Sequence, residues 1–142
     1  MKKSVFIDTA YLVALSNASD RHHREAAALA ESWNKERQSF VTTDAVMLEY
    51  ANFFARSPLR GLTAKTVAQL RRTSGWQIVP LDRAIVARGE ARYAAHGDKA
   101  WSLTDCISME VMSDADLDEV ATTDAHFTQA GFSVLMGDRS GG

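Results

Sequence analysis

The chain has one cysteine, Cys106, no apolar run of membrane-spanning length, and a net charge of only −2 over 142 residues. A single cysteine excludes an intrachain disulfide and a cysteine-built zinc site. The longest apolar stretch, VFIDTAYLVAL at residues 5–15, is broken by Asp8 and followed by Asp20, so it falls short of a bilayer span. The start, MKKSVFID, lacks an uninterrupted apolar segment followed by a small-residue cleavage site. It reads as a first strand and not as an export signal, which makes cytoplasm the expected compartment. Repeats, linkers and low-complexity tracts are also lacking. The expected organisation is one domain over residues 1–137 and a frayed tail, DRSGG, over 138–142.

The small net charge hides an uneven distribution. From Arg56 to Lys99 there are nine Lys/Arg against three Asp/Glu, and the rest of the chain holds seven against fifteen. Such asymmetry arises from solvated helix faces, and it also marks polyanion-binding surfaces beside acidic sites.

Along the chain, short β-branched apolar runs alternate with helical patterns. SVFID, SFVTT, WQIVPL, EVATT and FSVLM read as strands. TAYLVALSN reads as a short helix or turn, and SDRHHREAAALAESWNKERQ as a helix with Ala26, Leu29, Ala30 and Trp33 on one face. Asp44 is the expected N-cap of AVMLEYANFFAR, whose Val46, Tyr50, Phe53 and Phe54 form an apolar stripe. Pro58 and Gly61 break that helix, and Thr63 is expected to cap the next, AKTVAQLRRTS. Asp82 caps RAIVARGEARYAAHG, a helix weakened by Gly89, and Ser102 caps LTDCISMEVMSDA. DAHFTQAG reads as a short helix or turn. This alternation predicts an α/β fold with a parallel sheet covered on both faces, whose ligands bind at the carboxyl ends of the strands.

Four acids stand where the local pattern expects something else. Asp8 ends the first strand, Asp124 follows EVATT directly, Asp105 lies in the first turn of its helix, and Glu49 sits beside an apolar stripe. Each alone has an ordinary explanation. An Asp after a strand caps the next helix. Asp105 follows Ser102 by three, in the manner of a capping box. Glu49 reaches water from the edge of its stripe. Taken together, two strand ends of one parallel sheet and a helix first turn face the same edge, so Asp8, Asp105 and Asp124 converge. Converging carboxylates repel and take up protons unless a cation sits among them. Oxygen-only ligands suit Mg²⁺ or Mn²⁺ and hardly suit Zn²⁺.

The segments VFIDTAYLVAL, TTDAVMLEYANFFAR, DKAWSLTDCISMEVM and VATTDAHFTQAGF, in that order, resemble the four signature segments of the PIN-domain ribonucleases, and among these the VapC-type toxins of toxin–antitoxin pairs. The resemblance covers nearly the whole chain. It implies a three-layer α/β/α sandwich around a mainly parallel sheet of about five strands, and Mg²⁺- or Mn²⁺-dependent cleavage of RNA. Carried over by position, the family's acidic quartet falls on Asp8, Glu49, Asp105 and Asp124. Asp8 and Asp105 become the principal metal ligands, Asp124 completes the site, and Glu49 acts through water. Thr9, Ser102, Thr104 and Thr123 fall where the family keeps small hydroxyl residues, and Asp98 matches a frequent extra acid. The resemblance also implies a homodimer and a cognate antitoxin that inserts a basic side chain into the acidic pocket.

The reaction expected is in-line hydrolysis leaving a 5′-phosphate and a 3′-hydroxyl. No two histidines are expected to be placed for 2′-hydroxyl chemistry: His22 and His23 read as solvent-facing, His96 as a helix-end residue, and His126 as local packing. Arg56, Arg60, Lys65, Arg71 and Arg72 are candidates to track an RNA backbone, and Trp76 and Trp101 to stack on bases or fill the core. Four rivals keep the acids and change the job. An aspartate-nucleophile phosphatase wants D-x-D after the first strand, where position 10 is Ala. A receiver-like domain wants a lysine after a late strand. A PIN-like module that binds RNA without cutting, or a PIN nuclease of RNA processing, keeps the fold.

Overall fold

The computed structural model describes residues 2–137; the tail at 138–142 lies outside the described residues. Five strands form one sheet: β1 (Val5–Ile7), β2 (Phe40–Thr43), β3 (Trp76–Val79), β4 (Glu119–Ala121) and β5 (Ser133–Val134). Their spatial order is β3-β2-β1-β4-β5, and every neighbouring pair is parallel. The helices are α1 (Thr9–Ser16), α2 (His23–Glu36), α3 (Asp44–Phe53), α4 (Arg60–Leu70), α5 (Arg83–Ala95), α6 (Leu103–Asp114) and α7 (His126–Gln129). This is the expected α/β/α class, and it follows from the pattern: parallel neighbours need crossovers, and the helices supply them.

The order also fixes where a ligand goes. The chain lays down β1, β2 and β3 in one direction, then returns to the other side of β1 for β4 and β5. The strand order therefore reverses between β1 and β4, and a crevice opens there at their carboxyl ends. Asp8 leaves β1 at that point, and Asp124 lies three residues past the end of β4.

The core is apolar on both faces of the central strands. Val5, Phe6 and Ile7 are fully buried, as are Val120, Ala121, Met109, Met112, Tyr50 and Phe127. Full burial of β1 explains why its sequence is continuously apolar and not alternating. Gly89 has a packing reason: a Cβ there would sit 2.5 Å from Ile107 Cγ1, so its absence lets α5 lie close against α6.

Three local expectations are corrected. The cap of α3 is Thr43, whose hydroxyl accepts from the Val46 amide, and Asp44 is the first helical residue. Helix α4 begins at Arg60, so Gly61 is inside it; Thr63 is inside it too, buried, with its hydroxyl donating to the Leu59 carbonyl. Phe53 is 62% exposed, because α3 turns Tyr50 and Phe54 inward and Phe53 out. By contrast Asp82 and Ser102 cap α5 and α6 as their spacing predicts.

Candidate active site

A cleft of about 570 Å³ opens at the switch point. Its lining includes Asp8, Glu49, Asp105 and Asp124, so one cleft gathers all four acids from β1, α3, α6 and the β4–α7 turn. Thr9, Ser102, Thr123, Phe53, Asp20, His22 and His126 complete most of its wall.

Asp8 is the deepest of the four, at 5% exposure. Although it occupies the N-cap position of α1, its side chain makes no capping bond. Its Oδ2 accepts instead from the Thr122 hydroxyl at 2.8 Å, and the same hydroxyl accepts from the Asp124 amide at 3.1 Å. One threonine thus ties the two strand ends together. Burial pushes the Asp8 carboxyl up from 3.8 to about 7; the Thr122 hydroxyl and the Thr9 amide oppose this, and the nearby Asp105 and Glu49 charges add to it.

Asp105 serves two ends at once. Its Oδ2 accepts from the Ser102 amide at 3.0 Å while its own amide donates to the Ser102 hydroxyl at 3.0 Å, a complete capping box. The same Oδ2 lies 3.0 Å from His126 Nδ1. Asp124 Oδ1 accepts from the His126 amide at 2.9 Å and lies 3.1 Å from His126 Nδ1. Glu49 is exposed and, among the described residues, has no hydrogen-bond partner. The Thr9 hydroxyl is buried in the cleft wall and also lacks a partner.

The hydroxyl expectations are met in part. Ser102 positions Asp105. Thr122 holds Asp8, whereas Thr123 only lines the cleft. Thr104 and Asp98 do not reach it; Asp98 is exposed and pairs with Lys99 at 3.5 Å. His126, His22 and Asp20 line the cleft although the sequence reading assigned none of them to it. The His22 amide donates to Asp20 Oδ1 at 2.8 Å, which braces the α1–α2 turn where it lines the cleft. His23 is half-buried, with Nδ1 2.8 Å from the Ala14 carbonyl. The basic residues stay outside. Arg71 pairs with Asp44 at 2.7 Å, Arg60 donates to the Ala55 carbonyl, and none of Arg56, Arg60, Lys65, Arg71 and Arg72 lines the cleft. Trp101 is buried, with its indole N–H donating to Gln129, and Trp76 packs on Phe40. Both are structural here.

The donor set fits a divalent cation. Burial, with two neighbouring carboxylates adding to it, raises the Asp8 carboxyl to about 7 and so opposes its charged form, a condition a cation would relieve. The Thr9 hydroxyl has no protein partner. The atoms offered by Asp105, Asp124 and His126 lie within 4.8 Å of one another.

The family model for PIN domains matches residues 5–133. The chain belongs to the PIN-domain family. Solved structures share the fold of this PIN domain. VapC20 of Mycobacterium tuberculosis, described as a sarcin–ricin loop cleaving toxin, superposes with a TM-score of 0.80 at 23% identity, covering 91% of this chain and 96% of that one. FitAcB of Neisseria gonorrhoeae gives 0.61 at 20% identity, covering 92% and 95%. DNA-bound VapBC of Salmonella typhimurium gives 0.61 at 14% identity, covering 94% and 97%. No curated protein sequence matches the chain. Within the described residues of this PIN domain, no helix is long and apolar enough to cross a membrane.

Proposed function

We propose that this PIN domain is a divalent-metal-dependent endoribonuclease acting as the toxin of a toxin–antitoxin pair. The observation that carries the reading is the gathering of Asp8, Glu49, Asp105 and Asp124 around one cleft with no lysine or arginine in its lining. The fold shared with a sarcin–ricin loop cleaving toxin supports RNA as the substrate and the toxin role. An antitoxin that presents a basic side chain to this cleft suits its charge, and a homodimer is the assembly proposed.

Asp8, Asp105 and Asp124 would hold Mg²⁺ or Mn²⁺, with Glu49 reaching it through water. When bound, the cation supplies positive charge that activates water and offsets charge gathering on a phosphodiester. The chain's own groups do the positioning. Thr122 fixes Asp8 and the Asp124 backbone together, so the two strand-end acids keep one spacing. The capping box fixes Asp105 from the other side. Glu49, exposed on α3, is free to accept a proton from an attacking water. Attack in line with the 3′-oxygen leaves a 5′-phosphate and a 3′-hydroxyl.

The test is to incubate the purified chain with total cellular RNA, with Mg²⁺ or Mn²⁺ and with EDTA, and to map the ends. Discrete EDTA-sensitive cuts bearing 5′-phosphates are expected. Because His22 and His126 both line the cleft, a second outcome is defined: EDTA-resistant cuts leaving 2′,3′-cyclic phosphates would replace metal catalysis with a histidine pair. Binding without cleavage in any metal would point to a non-cutting RNA-binding module.

A further inference from the structure

We propose that His126 is a nitrogen ligand of the cation in this cleft, and that it biases the site toward Mn²⁺ over Mg²⁺. The inference rests on the metal-nuclease reading and changes the donor set that the sequence implied, from oxygen alone to oxygen and nitrogen.

His126 Nδ1 lies 3.0 Å from Asp105 Oδ2 and 3.1 Å from Asp124 Oδ1. One ring nitrogen carries at most one hydrogen, so it cannot give a full hydrogen bond to both oxygens. The arrangement has another reading. Ligands on adjacent corners of an octahedron, at bonds of about 2.1 Å, stand about 3.0 Å apart. The nitrogen therefore already stands at the spacing of a neighbouring ligand from each of the two oxygens, and all three atoms lie within 4.8 Å of one another.

The ring is placed by structure that does not depend on a cation. The His126 amide donates to Asp124 Oδ1 at 2.9 Å, which fixes the start of α7 on the acid. The next residue, Phe127, is fully buried and anchors that turn in the core. Asp105 arrives from α6, held by its capping box. Ligands from two separate elements are thus brought together by packing. The buried, unpartnered Thr9 hydroxyl in the same wall is an independent sign that the cleft is built for an occupant. The other cleft histidine, His22, has its Nδ1 3.8 Å from Glu25 Oε1.

The metal preference follows from ligand chemistry. Mg²⁺ is a hard ion that takes oxygen and keeps much of its water, whereas imidazole suits first-row transition dications. Mn²⁺ accepts carboxylates and imidazole together, so one nitrogen among the acids favours it.

The experiment uses the full chain stripped of metal, as wild type, His126→Ala, His126→Asn and Asp105→Asn. Calorimetry measures Mn²⁺ and Mg²⁺ binding, and pulsed electron paramagnetic resonance of bound Mn²⁺ reads nitrogen coupling. Wild type is expected to bind Mn²⁺ at least about tenfold more tightly than Mg²⁺ and to show the coupling. His126→Ala is expected to lose the coupling and to weaken Mn²⁺ by about ten- to a hundredfold, with a smaller loss for Mg²⁺. Thermal melting confirms folding. If His126→Ala does not fold, His126→Asn and the wild-type coupling decide. Bound Mn²⁺ without nitrogen coupling, or an equal loss for both ions, overturns the ligand role and leaves the acidic metal site standing. Wild type that binds neither ion, or Asp105→Asn that binds both unchanged, overturns the metal-nuclease reading and the inference with it.

Discussion

On the face formed by α5 and α6, Glu110 and Asp114 are met by guanidinium groups. Arg88 grips both oxygens of Asp114 at 2.6 and 2.7 Å, and Arg92 reaches Glu110 at 2.6 Å. In the cleft, Asp8, Glu49, Asp105 and Asp124 have no lysine or arginine partner among the described residues. Their partners are a hydroxyl, backbone amides and one histidine. The same residue types are therefore in opposite states. On the α5–α6 face the acids bring their cations from the chain itself. The cleft acids are gathered, partly buried and left with charge unmet, and that deficit is what a divalent ion or a basic side chain from a partner would fill.

Exchanging charges in the two clusters breaks the comparison in measurable ways. The largest effect is on rate. Asp105→Asn is expected to lower RNA cleavage by about a thousandfold at saturating Mn²⁺, whereas Glu110→Gln keeps it within about twofold; single-turnover kinetics check both. Next comes stability without metal. The Asp8 carboxyl keeps its proton to about pH 7 in the folded chain and releases it near 3.8 when unfolded. Between those values the folded state binds more protons, so the Asp8 contribution falls as pH rises and its cost is complete above about pH 7. In chelator, Asp8→Asn is therefore expected to stabilise the chain at pH 8, by at most about 4 kcal/mol, with the gain vanishing below pH 4. Urea unfolding across that range reads it.

Thr122→Val removes the tie between Asp8 and the Asp124 amide. It is expected to slow cleavage by about ten- to a hundredfold and to cost about 1 to 2 kcal/mol of stability. The smallest effect belongs to the paired cluster. Arg92→Ala is expected to cost about 1 kcal/mol in urea unfolding and to leave the cleavage rate unchanged.

Much of this arrangement was legible in the sequence because it rests on local signals. The continuous apolar run of β1 marks a strand buried on both sides, and the Ser102–Asp105 spacing marks the cap of α6 that also brings Asp105 to the cleft. The four acids were legible because each interrupts a pattern. What escaped depended on contacts between distant segments. Thr122 and Thr123 are adjacent and alike, and only the way the chain leaves β4 decides which one reaches Asp8. His126 looks like a local packing residue until α6 brings Asp105 to its ring; the spacing Asp124–x–His126 was the available signal. Asp20 and His22 line the cleft because the α1–α2 turn borders it, and no periodicity encodes that. Phe53 belongs to the apolar stripe of α3 by spacing, yet that stripe runs past the part of the helix the core covers. Gly61 and Thr63 carry the local signals of a helix boundary, yet α4 starts at Arg60, because local propensity does not fix where packing lets a helix begin.

The most direct test of the central claim sets wild type beside Asp8→Asn on the same RNA with Mn²⁺. Asparagine keeps the size and one oxygen to accept the Thr122 hydroxyl, while it removes the charge and one ligand oxygen. Cleavage by wild type that is abolished both by EDTA and by Asp8→Asn, with the variant folded and more stable than wild type in chelator at pH 8, is the predicted result. Undiminished cleavage by Asp8→Asn would contradict the account, because the deepest acid of the cleft would then have no part in holding the ion.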